Sequence, residues 1–133
     1  MEIIRERPAS IRGSADWFHG EVWIDGLAAN PAPSRVRLVS VHFCPGARTA
    51  WHTHPVGQVL HITEGVGLVQ RRGGPVETVR AGDTVHFAPD EDHWHGAAPD
   101  NFMTHLAMHE ASEAGEHVVW GVHVTDAEYG GAS

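Results

Sequence analysis

The sequence predicts an all-β fold, a sandwich or barrel formed by one domain over residues 1–133. Three observations lead there. Apolar and β-branched segments of strand length recur at intervals of roughly 8–12 residues. Fifteen Gly and eight Pro punctuate them, and no stretch of helical length keeps a 3.6-residue apolar period. Two His-x-His pairs, His52-Thr53-His54 and His93-Trp94-His95, fall where strand alternation would point both imidazoles of a pair to one face.

In chain order, Met1 to Pro8 mixes apolar and charged residues and is read as an edge or exchanged strand. Phe18 to Asp25 alternates as a strand, with Phe18, Gly20, Val22 and Ile24 on one face. Leu27 to Ser34 is read as a loop, because two prolines and an Asn prevent regular pairing. Arg35 to Phe43 is a strand ended by Cys44-Pro45-Gly46. Val59 to Thr63 and Val66 to Arg72 read as two strands joined by a tight hairpin at Glu64-Gly65. Val76 to Val79, Thr84 to Phe87, His93 to Ala97, Phe102 to Glu110 and His117 to Gly121 complete the strands, and Thr125 to Tyr129 forms one helical turn.

Composition narrows the function classes. The formal net charge is −8, and all nine basic residues are Arg. That balance argues against nucleic acid, which needs a basic surface to neutralise phosphate. No apolar run is long enough to span a membrane, and Met1 to Ala15 lacks the apolar core of a signal peptide, so a cytoplasmic protein is expected. One cysteine, Cys44, rules out an internal disulfide and reads as a small core filler.

Histidine is the unusual component, with twelve copies. After His52 and His54, a turn at Pro55 to Gly57 can return the amide oxygen of Gln58 toward the same point, and a further pair, His93-Trp94-His95, lies about forty residues downstream. Imidazole nitrogens with an amide oxygen suit a first-row divalent ion: Mn(II) first, with Fe(II), Ni(II) or Zn(II) as alternatives. Imidazole and amide donors are neutral, so they leave such an ion its full charge to polarise a bound hydroxyl. His95 shares parity with His93 and is expected at the cavity as a donor or substrate contact. His105 and His109 share parity with Met103 and Ala107, so they put titratable groups beside an apolar wall. Val39, Val41, Leu60 and Ile62 are expected to line that wall. Trp51 and Trp94 are expected to pack on the opposite face.

Gly46, five residues, His52-x-His54, three residues, Gln58, six residues, Gly65 resembles the first motif of the cupin family. Gly82-Asp83 through Pro89 to His93 matches the second motif more loosely. Together the motifs span residues 46–97. Gln58 replaces the usual carboxylate, Ala88 a proline, Asp90 a glycine and Ala97 an asparagine. The resemblance implies a jelly-roll β-barrel with His52, His54, Gln58 and His93 as metal ligands.

The wider run Pro45 to Pro55, with Gln58, His93 to Pro99, Met103 to Ala107, Ala15 to Phe18 and Val124 to Asp126, is similar to small bacterial cupins that include manganese-dependent hydroxynitrile lyases. That resemblance implies reversible cleavage of aromatic cyanohydrins to aldehyde and HCN, with His105 shuttling the proton and Arg48 or His95 retaining cyanide. His109 would shape the aldehyde pocket. The competing classes are a metal-dependent dioxygenase, a sugar-acid isomerase or lyase, and a non-catalytic cupin that binds a small ligand. Strand-face tryptophans Trp17, Trp23 and Trp120 suggest a homodimer or homotetramer.

Overall fold

The computed structural model describes residues 1–131, so the end of the expected 1–133 domain lies outside the described residues. Its strands are β1 (Ile11–Arg12), β2 (Phe18–His19), β3 (Val22–Ala29), β4 (Val36–Phe43), β5 (Arg48–Thr49), β6 (His52–Thr53), β7 (Gln58–Arg71), β8 (Glu77–Arg80), β9 (Thr84–Phe87), β10 (His93–Ala97), β11 (Met103–Glu110) and β12 (Val119–Trp120). One helical turn, α1 (Asp126–Tyr129), follows. The described strand pairs are all antiparallel and form two sheets that share β7. One sheet runs β1-β3-β4-β11-β7-β9; the other joins β2, β5, β10, β7 and β8, with β6 pairing β10 and β12 pairing β6. This is the expected all-β jelly-roll barrel of the cupin type.

The strand alternation of β4 and β11 builds the barrel wall. Val41 and Phe43 are buried and lie opposite His105 and Met103, while Val39 lies opposite Ala107. These side chains meet Val22, Leu60 and Ile62 from their own sheet and Val69, Val79 and Ala97 from the other in one core. Full burial of an aliphatic side chain contributes about 1.5–3 kcal/mol, so this alternation both holds the sheets together and directs His105 inward. A second cluster of Trp51, Trp94 and Val124, with Leu68, Val76 and Tyr129 against it, packs beneath α1. Thr125 caps that helix by accepting from the Glu128 amide while the Glu128 carboxylate accepts from the Thr125 amide.

Four local expectations are corrected. Glu64-Gly65 is a bend within the single long strand β7, not a hairpin: Gly65 has φ of 79° and passes so close to Phe102 that a Cβ would lie 1.9 Å from its carbonyl oxygen. That bend lets β7 leave β11 and β9 and pair with β10 and β8. Phe18 to Asp25 is two strands, because Gly20 takes φ of 82° and sends β2 and β3 to different sheets. The expected loop from Leu27 begins later, after Ala29. Met1 to Pro8 is exposed and forms no strand, although Ile3 and Ile4 present apolar surface.

Candidate metal centre

His52 on β6 lies directly opposite His93 on β10, so antiparallel pairing brings the two imidazoles to one place, 4.3 Å between ring centroids. His54 follows where β6 ends, 5.1 Å from the His52 ring and 5.6 Å from the His93 ring. The turn then closes through the Gly57 amide donating to the His54 carbonyl, with Gly57 at φ of 80°. No Cβ fits at Gly57, where it would stand 2.7 Å from the Phe87 carbonyl. The turn delivers Gln58, whose Oε1 is 3.3 Å from His93 Nε2. On the far side Asp90 adopts φ of 61°, so an aspartate takes the left-handed conformation where the motif usually has glycine. Phe87 stacks on the His93 ring at 3.6 Å.

The outer nitrogens of the three rings are all engaged in the same way. Nδ1 of His52 donates to the Ala50 carbonyl (2.9 Å), Nδ1 of His54 to the His117 carbonyl (2.6 Å) and Nδ1 of His93 to the Glu91 carbonyl (2.7 Å). Each bond places the proton on Nδ1 and leaves the Nε2 lone pair free, the arrangement that orients imidazole toward a metal. His54 Nε2 is buried with no hydrogen-bond partner. Burial pushes the pKa of His52 well below its usual value, reinforced by His93, and lowers those of His54 and His93, the last to about 4. The rings are therefore neutral at pH 7, as metal ligation requires.

His95 brings one more imidazole. The ring nitrogens of His52, His93 and His95 lie within 4.8 Å of one another. His95 differs from the other three because its Nδ1 meets His105 Nε2, at 3.1 Å, rather than a main-chain carbonyl. Burial first, and then the neighbouring His105, drive the His95 pKa well down; burial lowers His105 to about 4. These rings border a cavity of about 190 Å³ whose wall includes Val39, Val41, Ala107, His109, His117 and Trp120. The buried donors fit a divalent ion beside a small, mostly apolar chamber.

The cupin domain family model matches residues 39–109. The chain belongs to the cupin family. Over 130 residues, this cupin is 56% identical to an (R)-mandelonitrile lyase from Granulicella tundricola, covering 97% of this chain and 98% of that protein. A cupin-like protein from Thermotoga maritima superposes with a TM-score of 0.84 at 39% identity, over 96% of this chain and 95% of that one. A polyketide cyclase from Streptomyces resistomycificus shares the fold, with a TM-score of 0.72 at 18% identity over 97% and 91% of the two chains.

Within this cupin the residues expected at the site divide into two groups. His52, His54, Gln58, His95, His105, His109, Val39 and Val41 all border the cavity, and His93 adjoins Gln58 and His52. Leu60 does not line it: one step beyond Gln58 on the same face of β7, it is fully buried in the core with Ile62. Arg48 is also displaced. Thr49 faces the cavity, so its neighbour Arg48 projects from the other face, donates to the Val124 carbonyl (3.0 Å) and Asp126 (2.8 Å), and lies over the Tyr129 ring. Arg48 anchors the C-terminal turn and has no path to a ligand in the cavity.

Two residues not expected at the cavity are found there. Trp120, read from sequence as subunit-facing, lies 4.7 Å from the His52 ring because β12 pairs β6 with Trp120 opposite His52; Trp17 stacks on its outer side at 5.5 Å. His117 reaches the chamber through the same segment and stacks on His109 at 5.1 Å. Neither had a short-range signal, since both come from a chain segment more than sixty residues after His52 and His54.

Proposed function

We propose that this cupin is a metal-dependent lyase that cleaves and forms aromatic cyanohydrins. The observation that carries this reading is the 56% identity, over almost the full length of both chains, to a protein named as an (R)-mandelonitrile lyase. The site chemistry supports it. His52, His54 and His93 present Nε2 lone pairs, and Gln58 presents an amide oxygen beside them. His95 is the further imidazole near the same point; its bond to His105 supports reading it as part of the proton path. A bound divalent ion, Mn(II) on this reading, would supply Lewis acidity at the substrate hydroxyl.

The protein's own groups perform the remaining steps. Val39, Val41 and Ala107 exclude water around the aromatic ring of the substrate. His105, neutral and buried, accepts the hydroxyl proton; the oxygen electrons form the carbonyl, and the C–C bond breaks with its electron pair leaving as cyanide. The proton then passes from histidine to cyanide to give HCN, so atoms and charge balance. His95 holds His105 through the 3.1 Å bond and, on this reading, helps retain cyanide.

The 1–133 chain is read as one cupin domain, cytoplasmic, acting on a small aromatic aldehyde or cyanohydrin, with no nucleic-acid or membrane partner. No helix among the described residues is long and apolar enough to cross a membrane. Exposed Ile3, Ile4, Ile11, Val119 and Val122 support a homodimer or homotetramer. The test is mandelonitrile cleavage by protein stripped with chelator and reloaded with Mn(II), Fe(II), Ni(II) or Zn(II). Activity should vanish on stripping, return most strongly with Mn(II) and be absent from His52→Ala. An unchanged rate after stripping excludes the mechanism.

A further inference from the structure

The ligand set and the His95–His105 pair leave part of the cavity unexplained. Both ring nitrogens of His109 and Nδ1 of His117 are buried without a hydrogen-bond partner. Buried polar atoms are nearly always paired, and three together at one end of a chamber ask for a ligand that pairs them. Arg37 stands beside them. It lies directly opposite His109 across β4 and β11, one pair beyond Val39 and Ala107, so strand alternation turns both side chains to the same side of the sheet; His109 lines the cavity, and Arg37 is exposed outside its wall. Its charge acts on both His109 and His117. Arg37 is exposed and takes part in none of the ion pairs of the described residues. Glu110 does not neutralise it, because strand alternation turns that side chain to the outer face, and Glu113 and Glu116 lie exposed in the following turn.

The chamber thus has two chemically different ends. His52 and His93 offer lone pairs at the inner end, and His54 stands between, stacked on His109 at 5.1 Å. At the outer end two imidazoles, each carrying one N–H, lie within electrostatic reach of the exposed Arg37 guanidinium, a donor-rich set that matches a planar group with two acceptor oxygens. We propose that the outer end is a carboxylate site, in which Arg37, His109 and His117 bind the carboxylate of a one-ring ligand whose other end reaches His52 and His93. A volume of about 190 Å³, roughly six waters' share of liquid, accommodates one ring and little more. That an aldehyde or cyanohydrin carbon occupies the inner end rests on the lyase reading; the carboxylate end does not.

The experiment is calorimetric titration of chelator-treated, metal-free protein with 4-formylbenzoate, its methyl ester and benzaldehyde, so that no ion is present to attract the carboxylate. The expected result is that 4-formylbenzoate binds about tenfold more tightly than the ester, as one charge-assisted contact gives. Arg37→Gln should erase that preference, whereas Arg12→Gln, which alters a guanidinium lying over Trp23 on β3 away from the cavity, should keep it. Equal affinity for acid and ester, or a preference that survives Arg37→Gln, overturns the proposal. Loss of the preference in Arg37→Gln supports it even where metal-loaded protein turns over no cyanohydrin, an outcome that removes only the lyase reading.

Discussion

The imidazole of His54 donates its Nδ1 proton to the main-chain carbonyl of His117 at 2.6 Å, joining a residue of the first motif to one sixty-three positions later. The segment that supplies this carbonyl also carries Trp120 onto His52, and it is held by the Gly121 amide donating to the Trp51 carbonyl and the Trp51 amide donating to the Val122 carbonyl. The orientation of two candidate ligands is thereby tied to the C-terminal strap.

His54 and His95 compete for one place in the ligand set, and substitution separates them. If His54 is the ligand, His54→Ala should weaken Mn(II) binding by more than tenfold, the lower bound for losing even an outer-shell partner. His95→Ala should change Mn(II) affinity by less than a few-fold and still lose most lyase activity, because His105 loses its partner. Calorimetric Mn(II) titration of both variants decides the matter; the reverse ranking would assign His95 to the metal.

Gln58 is the second point of test. Its Oε1 adjoins His93 Nε2, and as an amide it leaves the charge of a bound ion undiminished. Gln58→Glu should retain the metal and reduce kcat for mandelonitrile at least tenfold, measured at saturating Mn(II). A fully active variant would remove the argument that neutral ligation matters.

Arg48 should behave as a structural residue. Its side chain is buried and bonded to the Val124 carbonyl and Asp126 beneath the Tyr129 ring. Arg48→Ala leaves the buried Val124 carbonyl unmatched and should lower stability by roughly 1–3 kcal/mol, read as a smaller urea midpoint at unchanged slope. In the folded fraction kcat/KM should stay within about twofold; a selective fall in kcat would return Arg48 to the reaction.

Gly65→Ala should be among the most damaging single changes. The added Cβ would overlap the Phe102 carbonyl at 1.9 Å, and φ of 79° is itself unfavourable for alanine. A loss above about 4 kcal/mol, or insoluble expression, is expected. Ala at Gly73, which has a similar φ of 80° but open space, should cost about 1 kcal/mol, so thermal melts of the pair isolate the steric part.

The same glycine shows what the sequence could and could not reveal. Local chemistry made β4 and β11 readable, because Val39, Val41 and Phe43, and Met103, His105 and Ala107, alternate with outward residues. It made His52 and His54 readable as a pair because parity points both to one face, whereas His93 joined them through the resemblance to the cupin motif, since His95 shares its parity. A positive-φ glycine between two apolar runs reads equally well as a hairpin or as a bend, and only the partners β10 and β11 decide that β7 continues. Parity likewise runs only to the end of a strand: Leu60 shares the face of Gln58 but lies deeper, under the chamber. The positions of Trp120, His117 and Arg48 depend on contacts between distant segments, which no local pattern encodes.

His105 gives the pH dependence of the metal-free protein. Its pKa falls from about 6.5 in the unfolded chain to about 4 in the fold, because burial disfavours the imidazolium. Above pH 6.5 both states are neutral at this site, and its stabilising contribution is fully present. As pH drops, the unfolded chain takes up a proton that the folded protein refuses, so stability is lost progressively until pH falls through about 4. With other groups contributing in parallel, the readout is the difference between the native chain and His105→Gln in urea unfolding with chelator present. Whatever the offset at pH 7.5, the native chain should lose roughly 2–3 kcal/mol more than the variant between pH 7.5 and 4.5, at 1.36 kcal/mol per pKa unit. Parallel curves for the two proteins would show that His105 is not held neutral by its burial, and the proton shuttle would then start from the charged imidazole.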